Sequence, residues 1–294
     1  MADEGDRCFG KGDYAGECDS FSDDPLPLAV VRPLYHSLYR HLSMGDVVQL
    51  SADGTQALKL GRDGFTYGET TLSSVYSIMN AVSLPSYACS CAEGLARKAG
   101  STGNEGWLWC DPMMRCTRCG HRPAGAFIVD LGSGIGNVVL GATLLSASGA
   151  LSGPIGRFDG VELLPTLHKA GQKALDDLQG FAHGLHEELG CASSHNNVSK
   201  LCSQLHHVLP HVALHCGNLE AHDLSDCDIV YMASTVFDEA LLARFAQRAA
   251  EQLRRGCRVV TLAEPLSHPS FRTEAVVPCT NSWGEEDAFV NVRI

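Results

Sequence analysis

The stretch Ala126-Phe-Ile-Val-Asp-Leu-Gly-Ser-Gly-Ile-Gly-Asn137 decides how this chain is read. Ala126 to Val129 is a short run of apolar, partly β-branched residues, the pattern of a strand buried on both faces of a parallel sheet. Asp130 ends the run. Gly132, Gly134 and Gly136 then lead into Val138-Val-Leu-Gly-Ala-Thr-Leu-Leu145, which has the look of a helix. Strand, glycine turn and helix in this order let a ligand approach bare backbone at the carboxyl edge of a sheet.

The spacing of the glycines narrows the ligand. A dinucleotide pyrophosphate site uses G-x-G-x-x-G, which sets the phosphates on a helix N-terminus. Here the pattern is D-x-G-x-G-x-G, with Asn137 where the last glycine of that motif would fall. An acidic residue before the turn suits a cationic ligand. S-adenosylmethionine carries an amino group and a sulfonium and no phosphate. The next strand candidate, Arg157-Phe-Asp-Gly-Val-Glu162, ends on a carboxylate. An acidic residue about 20–30 residues beyond the glycines typically binds both ribose hydroxyls of a nucleoside. Asp130, the glycines and Glu162 together predict a nucleoside site.

Working outward, 294 residues suffice for one α/β core with an accessory region. Hydrophobic residues make up 45% and charged residues 19%, which excludes extended disorder. No apolar run reaches membrane-spanning length. The start, Met1-Ala-Asp-Glu-Gly-Asp-Arg, is acidic and unlike a signal segment, so an intracellular setting is expected. In that setting the 13 cysteines are thiols or metal ligands, not a disulfide framework. A net charge of −12 argues against independent binding to a nucleic-acid backbone and suits a basic protein substrate.

Residues 1–27, rich in Gly, Asp and Ser, read as a flexible arm. Residues 28–85 read as a helical region. Within it Arg32 to Leu42 has helical spacing with Pro33 in the first turn, and Gly45 to Gly64 is turn-rich. Tyr67-Gly-Glu-Thr70 is a loop entering a helix whose apolar stripe is Leu72, Val75, Tyr76 and Met79, with Thr70 or Thr71 as cap. Residues 86–124 form a cysteine-rich insertion containing Trp107-Leu-Trp109. Cys110, Cys116, Cys119 and His121, with Cys89 and Cys91 nearby, are zinc candidates, but their spacing is irregular and a reduced, metal-free loop is the favoured expectation.

Residues 125–294 read as the core. Pro165 to Leu189 is a long helix with Lys169, Lys173, Asp176 and Asp177 on a solvated face. Segment 190–210 is a surface loop or short helix. Strand candidates follow at His211–Cys216, Asp228–Ala233 and Arg258–Ala263, with a helix from Phe237 to Leu253 stopped by Gly256. Ala275–Thr280 and Asp287–Ile294 read as a closing strand pair. The expected fold is α/β: a seven-stranded, mostly parallel sheet flanked by helices, that of class I S-adenosylmethionine (SAM)-dependent methyltransferases, with an N-terminal helical extension.

Tyr67-Gly-Glu-Thr70, Val129-Asp-Leu-Gly-Ser-Gly-Ile-Gly-Asn-Val-Val-Leu140 and Gly160-Val-Glu162 resemble the disruptor-of-telomeric-silencing histone lysine methyltransferases, which lack a SET domain and methylate a lysine in the globular core of histone H3. Cys216-Gly-Asn-Leu219 resembles the family's Gly-Asp-Phe, and Ser282-Trp283 its tryptophan near the carboxyl end. The resemblance runs from about Phe65 to Ile294, outside the insertion, and the compact chain is similar to the short trypanosomatid members. It implies that Tyr67, Glu69 and Thr70 fold over the methionine end of SAM. It implies that Asp130, Gly132, Gly134 and Asn137 line its amino-acid moiety, that Glu162 holds the ribose, and that Asn218 and Leu219 flank the adenine. Trp283 would wall the lysine channel beside Tyr67. The family's Asn-Asn-Phe corresponds to Met232-Ala-Ser-Thr-Val-Phe237, leaving Ser234 and Thr235 as the polar groups near the transferring methyl. The implied partner is histone H3 in nucleosomes and the implied location is the nucleus; the basic DNA-gripping tail of longer members is absent.

Rival expectations remain on the residues. A SAM-binding regulatory protein without catalysis, or a class I methyltransferase acting on another protein or a small molecule, shares the same fold. An arginine methyltransferase would need paired glutamates around the guanidinium, and segment 231–241 offers only Glu239 near Asp238, with no such loop. An amino-group DNA methyltransferase would need an Asp/Asn-Pro-Pro-aromatic tetrad, which the sequence lacks. A nicotinamide dehydrogenase has the wrong glycine spacing.

Overall fold

A computed structural model describes residues 26–59, 68–82, 125–153, 155–189 and 197–294. The amino-terminal arm up to residue 25, Tyr67, the tryptophans of the insertion and all the zinc candidates lie outside the described residues. No helix of the described residues is long and apolar enough to cross a membrane.

The described residues form a seven-stranded sheet. Its strands are β1 (Ala126–Leu131), β2 (Ile155–Glu162), β3 (Val212–Cys216), β4 (Ile229–Met232), β5 (Arg258–Leu262), β6 (Phe271–Asn281) and β7 (Gly284–Arg293). Their order is β3-β2-β1-β4-β5-β7-β6. The pairs from β3 through β5 are parallel, and β7 runs antiparallel to both β5 and β6. This order, with one reversed strand entered by a hairpin, is the class I SAM-dependent methyltransferase fold. The chain winds one way from β1 through β2 to β3 and the other way from β4, so a crevice opens outside the carboxyl ends of β1 and β4.

The helices are α1 (Leu26–Tyr39), α2 (Met44–Ala57), α3 (Leu72–Ala81), α4 (Asn137–Ser148), α5 (Pro165–Leu189), α6 (Asn197–Val208) and α7 (Glu239–Gln252). Helix α4 is apolar all round and buried along nearly its whole length, as a central helix sandwiched between a sheet and other helices must be. Helices α1, α3, α5 and α6 join it in one core with Ile128, Phe158 and Tyr231 of the sheet. The other face is covered by α7, through Phe245, Ala246 and Ala249 against Val129, Val230 and Val259.

Several expectations are corrected here. Helix α1 starts at Leu26, upstream of Arg32, so Pro33 lies well inside it and not in its first turn. Pro33 faces solvent. Burial of Leu28, Val31, Tyr35 and Leu38 opposes the cost of the missing backbone donor. The part of the expected turn-rich stretch from Gly45 to Ala57 instead lies in helix α2. Ser43 and Asp46 close a capping box at its start. Beyond Val47 its buried face, Ser51, Gly54 and Thr55, is small and weakly hydrophobic, so hydrophobic periodicity does not register it. A side chain on Gly54 would crowd Leu164 and Thr166 of the α5 start. Of the segment 190–210, Asn197–Val208 forms α6, a packed helix that buries Leu201, Leu205 and Val208. On α5, Lys173 and Asp177 of the expected solvated face are exposed and form an i,i+4 pair at 2.6 Å.

Candidate active site

The glycine turn builds the floor of the crevice. Gly132, Gly134 and Gly136 all have positive φ, of 88°, 55° and 80°, where a side chain is strained. The Gly132 and Ser133 N–H groups donate to the Val161 carbonyl at 2.8 and 3.1 Å, tying the turn to β2. A Cβ at Gly160 would strike Ser133 and Leu214, and one at Gly171 would strike the Ile135 carbonyl. Glycine is therefore needed in two neighbouring elements as well, so that the turn can lie flat between β2 and α5.

Two buried carboxylates flank it. Glu162 accepts from the Gly134 N–H through Oε2 and from the Leu164 N–H through Oε1, both at 2.8 Å. A carboxylate has about four acceptor sites, so backbone donors orient it without using it up. Burial pushes its pKa up, and the backbone donors at Leu164, Gly134 and Leu163 oppose that shift. Asp130 is 1% exposed, and its Oδ1 has no hydrogen-bond partner among the described residues. Burial first, and the charge of Glu162 second, hold its pKa well above 3.8. A buried carboxylate with an empty acceptor is costly in the ligand-free protein and calls for a cationic donor.

Around them opens a cleft of about 770 Å³, within the range of small-molecule sites. Of the residues expected from sequence, Thr70, Asp130, Gly132, Gly134, Asn137, Glu162, Asn218, Leu219, Thr235 and Trp283 all line it. Asn218 Oδ1 accepts from the Glu220 N–H at 2.9 Å, which shapes the turn after β3. Arg248 of α7 clamps that turn from below. It donates to the carbonyls of Leu219 at 2.8 Å, Glu220 at 2.7 Å and His222 at 2.8 Å.

The cover of the cleft is pinned to the β6–β7 hairpin. The Glu69 N–H donates to Ser282 Oγ at 2.9 Å, and the Ser282 N–H returns to the Glu69 carbonyl at 2.8 Å. Thr70 bridges Asn281 antiparallel, and the Thr71 hydroxyl caps α3. Trp283, at the hairpin tip, lies against Gly68 so closely that a Cβ there would overlap its ring. The Trp283 indole N–H donates to Glu286 at 3.4 Å.

Three residues behave differently from their expected roles. Ser234 does not line the cleft. Its hydroxyl donates to the Leu262 carbonyl at 2.8 Å and accepts the Leu262 N–H at 3.1 Å, so it ties β4 to β5. Glu69 is buried but is not among the lining residues, and its backbone does the pinning. Asn137 spends its carbonyl on the Val138 N–H at 3.0 Å and an amide N–H on the Thr70 carbonyl at 3.4 Å, so it links the glycine turn to the cover. Reading along the sequence missed Tyr231, Glu286 and Arg244, which also line the cleft. Strand register, not a local motif, brings Tyr231 beside Asp130.

Comparison with protein-family models finds no match, and comparison with curated proteins finds none either. Among solved structures, the chain is similar to an RNA methyltransferase from Salinibacter ruber in complex with S-adenosyl-L-homocysteine, at 18% identity and a TM-score of 0.36 over 57% of this chain and 80% of that one. It is similar to TrmN from Thermus thermophilus at 16% identity and a TM-score of 0.38, over 57% of this chain and 44% of that one. It is also similar to the tRNA methyltransferase TrmK from B. subtilis, at 15% identity and a TM-score of 0.38 over 58% and 62% of the two chains. The fold assignment rests on the strand order.

Proposed function

We propose that this protein is a SAM-dependent methyltransferase, and that its substrate is a lysine in the globular core of histone H3 within nucleosomes, reached in the nucleus. The observation that carries the reading is the pair of buried carboxylates at the sheet crossover, one with an unpaired oxygen and one already oriented by backbone donors. An ammonium fits Asp130 and a ribose diol fits Glu162, and a phosphate fits neither.

SAM supplies, when bound, an electrophilic methyl on a sulfonium. Asp130 would hold its amino group, Glu162 its ribose, and Asn218 and Leu219 would lie along the base. The chain's own task is then to admit an amine, strip its water and align it. Trp283, Phe237 and Thr235 line the cleft on the side of the hairpin tip and the β4 end. An apolar wall lowers the pKa of an entering lysine, favouring the neutral nucleophile without a dedicated base. Alignment in a narrow passage supplies much of the remaining advantage. Glu220, Asp238 and Glu286 line the same cleft; Arg244 pairs with Glu220 at 2.8 Å, and the remaining carboxylates with the net charge of −12 favour a cationic substrate over nucleic acid. The histone assignment itself draws on the joint resemblance of Tyr67-Gly-Glu-Thr70 and the glycine stretch.

Mass spectrometry of nucleosomal H3 after incubation with the protein and SAM tests this. The expected result is methylation of one lysine in the globular core. SAM binding with no methylation of H3 would sink the histone assignment. Turnover on free amines instead would favour a small-molecule enzyme. No turnover on any substrate would favour the regulatory binding protein, a reading helped by the inward use of the Ser234 hydroxyl.

A further inference from the structure

Thr70 of the cover and Tyr231 of the sheet floor meet inside the cleft, with their oxygens 2.7 Å apart. Both side chains are buried, at 3% and 1% exposure, and both residues line the cleft. Tyr231 is on β4, in register with Asp130 on β1. Partners in neighbouring parallel strands project to the same face of the sheet, so the phenol and the carboxylate share one side of the floor. Two hydroxyls in one hydrogen bond use one proton of two. Whichever donates, the pair has one O–H left over.

Beside it, Asp130 offers an unpaired acceptor. An acceptor and a donor on adjacent strands complement an ammonium and a carboxylate on one carbon. A ligand carboxylate placed near Asp130 and Glu162 needs such a donor, since both of those groups repel it. The Thr70 backbone is fixed independently, by its bridge to Asn281 and by the Asn137 amide at its carbonyl. Rotation of its hydroxyl is the remaining freedom, and Tyr231 is what removes it.

We infer that Tyr231 is a positioning residue, which holds the Thr70 hydroxyl so that the pair donates one hydrogen bond to the carboxylate of an α-amino-acid group bound beside Asp130. The inference rests on the SAM reading of the site and goes beyond it, by giving a role to a residue that lies outside every expected motif. Loss of the phenol should weaken only ligands that carry the amino-acid end.

Calorimetry with two probes separates this from a structural role. S-adenosylhomocysteine carries the amino-acid group, and 5′-methylthioadenosine has the same nucleoside without it. In Tyr231→Phe the first should bind about tenfold more weakly, the worth of one hydrogen bond to a charged group, and the second should bind unchanged. Thr70→Val should reproduce that split, the double variant should add little further, and Thr70→Ser should restore binding. Thr70→Val carries the same comparison if Tyr231→Phe fails to fold. Equal weakening of both probes, or of neither, overturns the role of Tyr231. Failure of the unaltered protein to bind either probe overturns the SAM reading instead, so the two failures are told apart.

Discussion

Asp130 shows how one buried group sets opposing demands on stability and binding. Its pKa is raised above 3.8 in the folded protein by burial and by Glu162. The folded state therefore holds the proton more tightly than the unfolded chain. The stability contributed by this group is complete below pH 3.8 and is lost as pH rises through the folded-state pKa. Asp130→Asn, which cannot ionise, should thus raise the urea midpoint of the ligand-free protein at neutral pH, with the gain vanishing on acidification below the ordinary carboxyl range. The same variant should bind SAM at least about tenfold more weakly, because a charge-assisted hydrogen bond to the ammonium is gone. At a pH below the folded-state pKa of Asp130, calorimetry in buffers of different ionisation enthalpy should also show proton release on binding in the unaltered protein and less in the variant. An unchanged urea midpoint at neutral pH would contradict the buried, unpaired state of the carboxylate.

The element that matters most is the β6–β7 hairpin. Its tip meets the Gly68–Thr71 cover through the Ser282 hydroxyl and N–H on the Glu69 backbone, the bridge of Asn281 to Thr70, and the contact of Trp283 with Gly68. A methyl at Gly68 has no room unless the indole moves. Gly68→Ala should therefore displace Trp283 and lower methyl transfer by about tenfold or more, since small misplacements near the reacting atoms are costly. Nucleoside binding at Glu162 and the thermal midpoint should change little. A tryptophan fluorescence shift would report the displaced ring. Equal activity of the variant would show that Trp283 does not shape the passage. Arg248 does comparable work on the opposite side, where three carbonyls in one turn share a single guanidinium.

At the scale of the whole molecule, the N-terminal helices are part of the main core. Leu28, Val31, Tyr35, Leu38 and Tyr39 of α1 are all buried in the cluster that holds α4 and the sheet. At about 1.5–3 kcal/mol for each large apolar side chain, an upper estimate, their loss approaches the stability of an entire domain. A typical domain has only about 5–15 kcal/mol in total. A chain beginning at Ser43 should therefore lose cooperative unfolding, as followed by circular dichroism. Native-like cooperative melting of that chain would mean that α1 is a dispensable appendage.

Much of the fold can be read in one dimension because its decisive signals are local. The apolar run ending at Asp130, the glycines that follow and the strand ending at Glu162 specify backbone geometry within a few residues, and the alternation of strands and helices implies the parallel sheet. Helix α2 escapes that reading because its buried face is Ser51, Gly54 and Thr55, matched to α5 by shape and not by hydrophobicity. The use of polar side chains escapes it too. Ser234 and Thr235 are adjacent in the chain, yet one hydroxyl is consumed by Leu262 and the other residue lines the cleft. Tyr231 meets Thr70 across 161 positions through strand register and a hairpin contact. A hydrogen bond between distant residues depends on where packing brings the two chains together, and no spacing along the sequence encodes that distance.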